Sequence, residues 1–255
     1  MVMAEKSLTV SIVSHGQGEL VRTLLLTLRE HAEWVPMTVI VTYNTQEVPC
    51  AVRPTEHFDV ISVCNRKQKG FAENHNAAFA LCKTRFFCVL NPDIQIDANG
   101  FIILMEQVLR HPGVAGPRVI NPSGNFEDNA RRVPSVWRLA QRWILGKFLL
   151  DYSADVPHAI EVDWLAGMCL MFDAETFRLV GGFDSRYRLY CEDIDICLRI
   201  HLLRRCVTWV CAGVVIHDAR RDSHRNFRFF LWHVSSLAKL LTSFVYWRFR
   251  ISHRM

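Results

Sequence analysis

The chain has 255 residues, half of them hydrophobic and 22% charged. That composition excludes a disordered or fibrous polypeptide and fits one sizeable α/β domain with room for a small appendage. The net charge of +5 is lopsided, with eight Lys and Arg against two Asp from His217 onward.

A basic tail with interleaved aromatics suggests an anionic surface, either membrane or nucleic acid. No nucleic-acid-binding motif accompanies it, which disfavours the second. The nine cysteines sit singly in apolar runs such as "FFCVLN" and "AGMCLMF", with no C-x-x-C pair. This pattern predicts reduced, buried thiols in a cytosolic compartment rather than a disulfide framework or a zinc site.

The opening "MVMAEKSLTVSIVSHG" does not fit a signal peptide, because its apolar run is short and carries Glu5 and Lys6. "LTVSIVS" reads as a strand, "GELVRTLLLTLREH" as a helix, and "MTVIVTY" and "FDVISVC" as β-branched strands. "FAENHNAAFALCK" is a short helix, "RFFCVLN" a buried strand, "ANGFIILMEQVLRH" a helix and "GVAGPRVI" a strand. Strands separated by helices of this length predict a mostly parallel sheet covered on both faces. Ligands of such sheets bind beyond the carboxyl ends of the strands, where Ser14, Asn44 and Asp93 fall.

The second half is less regular. "NPSGNFEDNARRVPS" reads as a polar loop and "VWRLAQRWILGKFLL" as helix. "EVDWLAGMCLMF" reads as a strand, "DAETFRLV" as a short helix closed by Gly181-Gly182, and "CVTWVCAGVVIH" as a strand ending at His217. The tail has apolar residues at helical spacing from Phe227 to Val245. It fits a core-packing helix or a membrane-surface helix, and the nearby arginines and Trp232, Tyr246 and Trp247 tilt the balance toward an interface. No run of about twenty uncharged apolar residues exists. Expected boundaries are residues 1–217 for the main domain, in halves 1–120 and 121–217, and 218–255 for the basic helical tail.

Three places carry chemistry-bearing residues. "SHGQGEL" has Gly16 and Gly18 but no third glycine, and no acidic residue closes the second strand, so the dinucleotide fingerprint fails. "CVLNPDIQID" delivers Asn91 and Asp93 at a strand end, where Asp93 suits Mg²⁺ or Mn²⁺ and equally suits an Asx-Pro turn. "YCEDIDICLRI" puts Glu192 and Asp193 at a helix start, where partial positive charge favours carboxylates. Asp195 is expected to pair with Arg199, four residues on, across the exposed helix face.

In order, "SIVSHG", "VIVTYN", "GFAENHNAAFA", "LNPDI", "RRVPS", "VDWLAGMCLMF", "GGFDSRYRLYCEDIDICLR" and "VIHDARRDS" resemble the inverting family 2 glycosyltransferases of GT-A fold. The set looks most like the bacterial rhamnosyltransferases of O-antigen and other cell-surface polysaccharides, over most of the chain. The fold implied is α/β, a Rossmann-like and mostly parallel sheet flanked by helices, with the amphipathic tail as an appendage.

The resemblance implies roles. Asp93 and His217 would hold Mg²⁺ or Mn²⁺ on the donor diphosphate, with Asn91 in place of a first aspartate. Asp193 would be the general base, with Glu192 beside it. Ser14, His15, Tyr43 and Asn44 would line the nucleoside pocket, Gly70, Phe71 and Asn74 its floor, and Arg131 a phosphate or sugar contact. Asp163, Trp164 and Gly167 would wall the acceptor side. Relatives often carry Asp-Asn where this chain has Tyr43-Asn44, so base recognition departs from the pattern. The implied reaction is transfer of a deoxysugar, L-rhamnose from dTDP-L-rhamnose, to a lipid-linked or lipopolysaccharide-type glycan. The implied setting is the cytoplasm, at the inner face of the bacterial membrane. A UDP-sugar donor, or a non-catalytic glycan- or nucleotide-binding role, is the alternative.

Overall fold

A computed structural model describes residues 6–135, 151–152, 158–218 and 227–253. The expected helix "VWRLAQRWILGKFLL" lies outside the described residues, as does most of the arginine-rich segment after His217.

The first half follows the sequence pattern closely. Strand β1 (Leu8–Ser14) leads to helix α1 (Gly18–His31), β2 (Met37–Tyr43), β3 (Phe58–Cys64) and helix α2 (Phe71–Phe79). Then come β4 (Phe86–Leu90), the two-residue β5 (Ile94–Gln95), helix α3 (Ala98–Arg110) and β6 (Gly113–Ile120). Every residue of β1 and β4 is buried, as expected of strands covered on both faces. Alternation then sorts the side chains. Phe86, Cys88 and Leu90 enter the core beneath α1 and α3, while Phe87 and Val89 enter the opposite core.

The second half departs from expectation in three ways. The polar loop "NPSGNFEDNARRVPS" contains strands β7 (Phe126–Glu127) and β8 (Ala130–Arg131). β7 turns back on β6, pairing Ile120 with Phe126 and Val119 with Glu127. Asn121 closes the turn, its side-chain oxygen accepting from the amides of Ser123 and Asn125. The stretch expected as one strand holds two, β10 (Trp164–Leu165) and β11 (Cys169–Asp173), and begins on the last residue of another, β9 (Ala159–Glu161). The tail is two helices. After α4 (Ala174–Leu179), α5 (Glu192–Leu202) and β12 (Cys206–His217) come α6 (Phe227–Thr242) and α7 (Phe244–Ser252). Ser243 separates them by accepting from the Tyr246 amide at 3.1 Å, a side-chain cap.

The main sheet runs β3-β2-β1-β4-β11-β6-β12-β5, with β7 on β6 and β9 on β12. Pairs β1–β2, β2–β3, β1–β4 and β6–β12 are parallel, while β11 runs antiparallel between β4 and β6. The architecture is therefore α/β with a mixed, mostly parallel sheet. Leu240, Tyr246 and Phe249 of the tail belong to the second core, against α5. The opposite side of the tail leaves Phe230, Leu231, Val234, Phe244, Trp247 and Ile251 exposed. No helix among the described residues is long and apolar enough to cross a membrane. All nine cysteines are free thiols. Five are buried, but Cys64 is exposed and Cys50, Cys82 and Cys206 are half-buried, because they sit in loops or at strand ends.

Candidate active site

Strand ends assemble the first part of the site. β5 pairs with the end of β12, placing Ile94 opposite His217, and the Asp218 amide donates to the Asp93 carbonyl at 3.0 Å. His217 Nε2 thereby lies 3.4 Å from Asp93 Oδ2. On the other side of the ring, Nδ1 sits 2.6 Å from Glu127 Oε2. The Asp93 carboxylate and then that of Glu127 push the His217 imidazole up to about 9, against the effect of burial. Asp93 Oδ1 is buried without a hydrogen-bond partner among the described residues.

The sequence reading missed Glu127. It stood in a stretch read as loop, and only the β6–β7 hairpin returns it to the strand that neighbours β12. A histidine oriented by a carboxylate on one nitrogen, with the other turned to a second carboxylate, is a common metal-binding arrangement. The orphaned Asp93 oxygen and the imidazole form an O/N donor set suited to Mg²⁺ or Mn²⁺. No group of three His, Cys, Asp or Glu suited to a metal exists among the described residues, so a bound ion would draw its other ligands from elsewhere.

Helix α5 supplies the second part. Tyr190 and Cys191 precede it with φ of 70° and 67°, two consecutive non-glycine residues in the left-handed region. Such backbone is costly and persists where its surroundings hold it. Here the holding groups come from α6. Ser236 Oγ donates to the Leu189 carbonyl at 2.9 Å, and Lys239 Nζ donates to that of Arg186 at 2.9 Å. Tyr190 meets His233 edge-on at 5.0 Å, and the Arg188 guanidinium lies over Trp232 at 4.9 Å.

Asp193 is held by two backbone amides. Gly167 N–H donates to Oδ2 at 3.2 Å and Ile194 N–H to Oδ1 at 2.9 Å. Burial raises its carboxyl above the ordinary range, opposed by those hydrogen bonds and by the charge of Arg131. Glu192 is more buried, at 4% exposure, and its Oε2 has no hydrogen-bond partner among the described residues. Burial first, then the Asp193 charge, push Glu192 up to about 8.

Asp195 does pair with Arg199, at 2.8 Å, but not on an exposed face. Asp195 is 1% exposed, and Arg199 also donates to the carbonyls of Val180 and Gly182. The pair is an internal bracket that ties the Gly181-Gly182 turn to α5.

The two parts meet through one short segment. The Asn91 amide donates to the Met168 carbonyl at 2.9 Å, and the neighbouring Gly167 amide holds Asp193. A Cβ on Gly167 would come within 3.2 Å of Phe71 and 3.8 Å of the Asp193 Cβ, so the glycine lets these groups close up. Beside them, β10 pairs with β8 and sets Trp164 opposite Arg131. The Arg131 guanidinium lies 5.5 Å from the Trp164 ring and pairs with Asp128 at 3.1 Å. Asp163 is occupied internally, accepting from the Val133 amide at 2.8 Å and lying near the Tyr152 hydroxyl.

The nucleoside-side residues divide. Ser14 donates to Glu47 at 2.7 Å, and Glu47 also accepts from Gly16 N and Thr45 Oγ1. His15 is exposed beside them. Asn44 and Asn74 act as struts. The Asn44 oxygen accepts from Asn65 and from the Lys69 amide, its amide donates to the Lys69 carbonyl, and the Asn74 oxygen accepts from Asn65. Tyr43 is fully buried with its hydroxyl accepting from the Cys50 amide at 2.7 Å, and burial pushes it up to about 12. It stands in the core rather than on an open surface. Gly70 is required where it is, since a Cβ would lie 2.6 Å from the Arg188 carbonyl.

Among solved structures the chain matches mannosyltransferase PcManGT from Pyrobaculum calidifontis, solved with GDP-Man and Mn²⁺. The TM-score is 0.62 at 14% identity, over 92% of this chain and 64% of that one. It also matches Staphylococcus aureus TarS 1-349 with UDP-GlcNAc, with TM-score 0.60 at 13% identity over 93% and 67%. The fold is GT-A.

No protein-family model matches the chain. It is 25% identical over 250 residues to rhamnosyltransferase WbbL of Escherichia coli K12, covering 91% of each chain. It is 31% identical over 148 residues to N-acetylglucosaminyl-diphospho-decaprenol L-rhamnosyltransferase of Mycobacterium tuberculosis, covering 54% of this chain and 48% of that protein. The chain thus spans about half the length of these mycobacterial relatives. The resemblance to rhamnosyltransferases read from the motifs therefore extends over 250 residues against WbbL and over 148 against the mycobacterial enzymes. In this GT-A chain the Asn91-Pro92-Asp93 turn and Asp193 stand on either side of the Gly167–Met168 segment.

Proposed function

We propose that the protein is a metal-dependent, inverting glycosyltransferase that moves L-rhamnose from dTDP-L-rhamnose to a lipid-linked glycan acceptor. The observation that carries this reading is the shared segment Gly167–Met168, which hydrogen-bonds Asn91 on one side and Asp193 on the other. It couples the candidate diphosphate end of the site to the candidate base.

Asp93 and His217 would hold Mg²⁺ or Mn²⁺, with Glu127 fixing the imidazole. When bound, the ion offsets negative charge on the departing nucleoside diphosphate. Asp193 takes the proton of the acceptor hydroxyl as that oxygen attacks the anomeric carbon from the face opposite the leaving group. A single base with in-line attack gives inversion, as in inverting glycosidases. The raised Asp193 carboxyl is a stronger base than an ordinary aspartate and remains oriented by its two amide donors. The Trp164 ring is buried in the core, not open to a sugar, and backs the Arg131 guanidinium, which brings positive charge to the site.

The acceptor class follows the mycobacterial relatives, whose name specifies a diphospho-decaprenol acceptor. The exposed apolar stripe and the arginines of the tail support peripheral attachment to an anionic membrane, from which such an acceptor would be met.

The test is turnover by purified protein with dTDP-L-rhamnose, an acceptor lipid extract and Mg²⁺ or Mn²⁺. Release of dTDP that stops with chelator is expected. No release, while a known rhamnosyltransferase works in the same extract, overturns the reading. Thermal stabilisation by dTDP but not UDP separates the rhamnosyl donor from a UDP-sugar, because a ligand bound only by the folded state raises its stability.

A further inference from the structure

A second concave, basic region lies away from the candidate active site. It is a cleft of about 500 Å³ where the C-terminal end of α5 and the start of β12 meet α7. Arg204, Arg205, Arg248, Ser252 and His253 line it, with Glu161 as the acidic residue of the lining. Among the described residues no carboxylate pairs with Arg204 or Arg248, and Arg205 reaches Glu175 only at 4.0 Å. The Arg204 backbone is left-handed, with φ of 55°, so it turns sharply just beyond the helix end. Three arginines line one cleft, Arg204 and Arg248 both exposed to solvent, and the catalytic scheme uses none of them.

The rim is apolar. On α7, Phe244, Trp247, Arg248 and Ile251 follow spacings of three and four and so share one face. Phe244 is 75% exposed and Ile251 67%, and Trp247 and Leu203, next to Arg204, are exposed too. The buried side of the same helix, Tyr246 and Phe249, is fixed to the core. Tyr246 donates to the Pro134 carbonyl at 3.0 Å, and Phe249 packs on His201 at 5.2 Å. The exposed face is thus a rigid surface rather than a frayed end. Exposed arginines at a cleft, flanked by an exposed tryptophan and aliphatic side chains, match the chemistry of a bilayer surface. Phosphate lies at the level of the cations and acyl chains lie beyond.

We propose that this cleft binds the phosphate of an anionic membrane phospholipid, with Trp247 and Ile251 entering the bilayer interface. The proposal rests on the membrane attachment suggested above, and it assigns that attachment to one site. Helix α5 begins at the candidate base and ends at this cleft, so its eleven residues, at about 1.5 Å each, fix the distance between the two.

The experiment is co-sedimentation of the full chain with vesicles of phosphatidylcholine alone or mixed with phosphatidylglycerol. Alongside it, wild type is melted with and without inorganic phosphate. Wild type is expected to sediment with the mixed vesicles only. The pair Arg204→Ala/Arg248→Ala should bind roughly tenfold or more weakly, at about 1 kcal/mol per basic residue near an anionic surface. The pair Trp247→Ala/Ile251→Ala should also bind less, with both variants melting as wild type. If wild type binds and the arginine pair binds equally, the cleft is not the site, although membrane attachment stands. If wild type binds no vesicle, both the attachment and the cleft assignment fall. Stabilisation by inorganic phosphate without vesicle binding makes the cleft a free-anion site and overturns the lipid assignment.

Discussion

The two halves of the candidate site treat charge in opposite ways. Around His217, one ring is flanked by two carboxylates, and attraction drives it toward the protonated form. Around Asp193, two carboxylates share a helix start with little water, and burial drives both toward the protonated form. The first half is built from strand ends that bring unlike groups together. The second gathers like groups at one helix start and orients Asp193 with amide donors beside a held left-handed turn. A site assembled this way separates a cation-binding end from a proton-accepting end on one scaffold.

Breaking either half should all but stop transfer. Asp193→Asn should lower transfer by roughly 10²–10⁴-fold while leaving stabilisation by dTDP intact, as read by initial rates and melting curves. Full activity in that variant would remove Asp193 as the base. Breaking the first half, Asp93→Asn should abolish metal-dependent transfer and also the extra stabilisation that Mn²⁺ gives in the presence of dTDP. Glu127→Gln should weaken metal dependence by about 10–100-fold rather than abolish it, since it orients a ligand and is not one. A metal titration of activity distinguishes these two.

The contrast also has a pH signature. Glu192 in the folded chain holds its proton to about 8, against 4.5 ordinarily. Between those values the unfolded chain gives up the proton first, so stability falls as pH rises, at about 1.4 kcal/mol per unit for this group. Glu192→Gln does not ionise, so its melting temperature should gain on wild type across that window and be level below it. The smallest effect expected is from Ser236→Ala. Losing one hydroxyl bond to the Leu189 carbonyl costs about 1 kcal/mol, and it should lower kcat a few-fold with KM unchanged if the turn positions Asp193.

Much of the scaffold was legible because period-two and period-3.6 patterns are local. β1, β2, β3 and β6, together with α1, were readable almost to the residue. Asp93 and His217 were legible as strand-end residues, and their proximity follows from the pairing of β5 with β12. Glu127 was not legible, since "NPSG" marks a turn but not that the chain returns along β6. Nor was the burial of Asp195. An i, i+4 ion pair looks the same on either face of a helix, and only the carbonyls of Val180 and Gly182 reveal that this one faces inward. The tail showed amphipathic spacing, but its split at Ser243 depends on a cap that competes with an otherwise continuous pattern.

The antiparallel strand β11 in the middle of the sheet has a consequence for how the chain acquires its structure. β4 and β6 are not neighbours, and residues 169–173 must insert between them. A nascent chain that has emerged only as far as Ile120 therefore holds one edge of β4 and both edges of β6 without their final partners. Such edges favour association with other chains, and contacts of long sequence separation form slowly. The first 120 residues read as a unit along the sequence, but they reach their final pairing only after both the central strand and β12 have been synthesised.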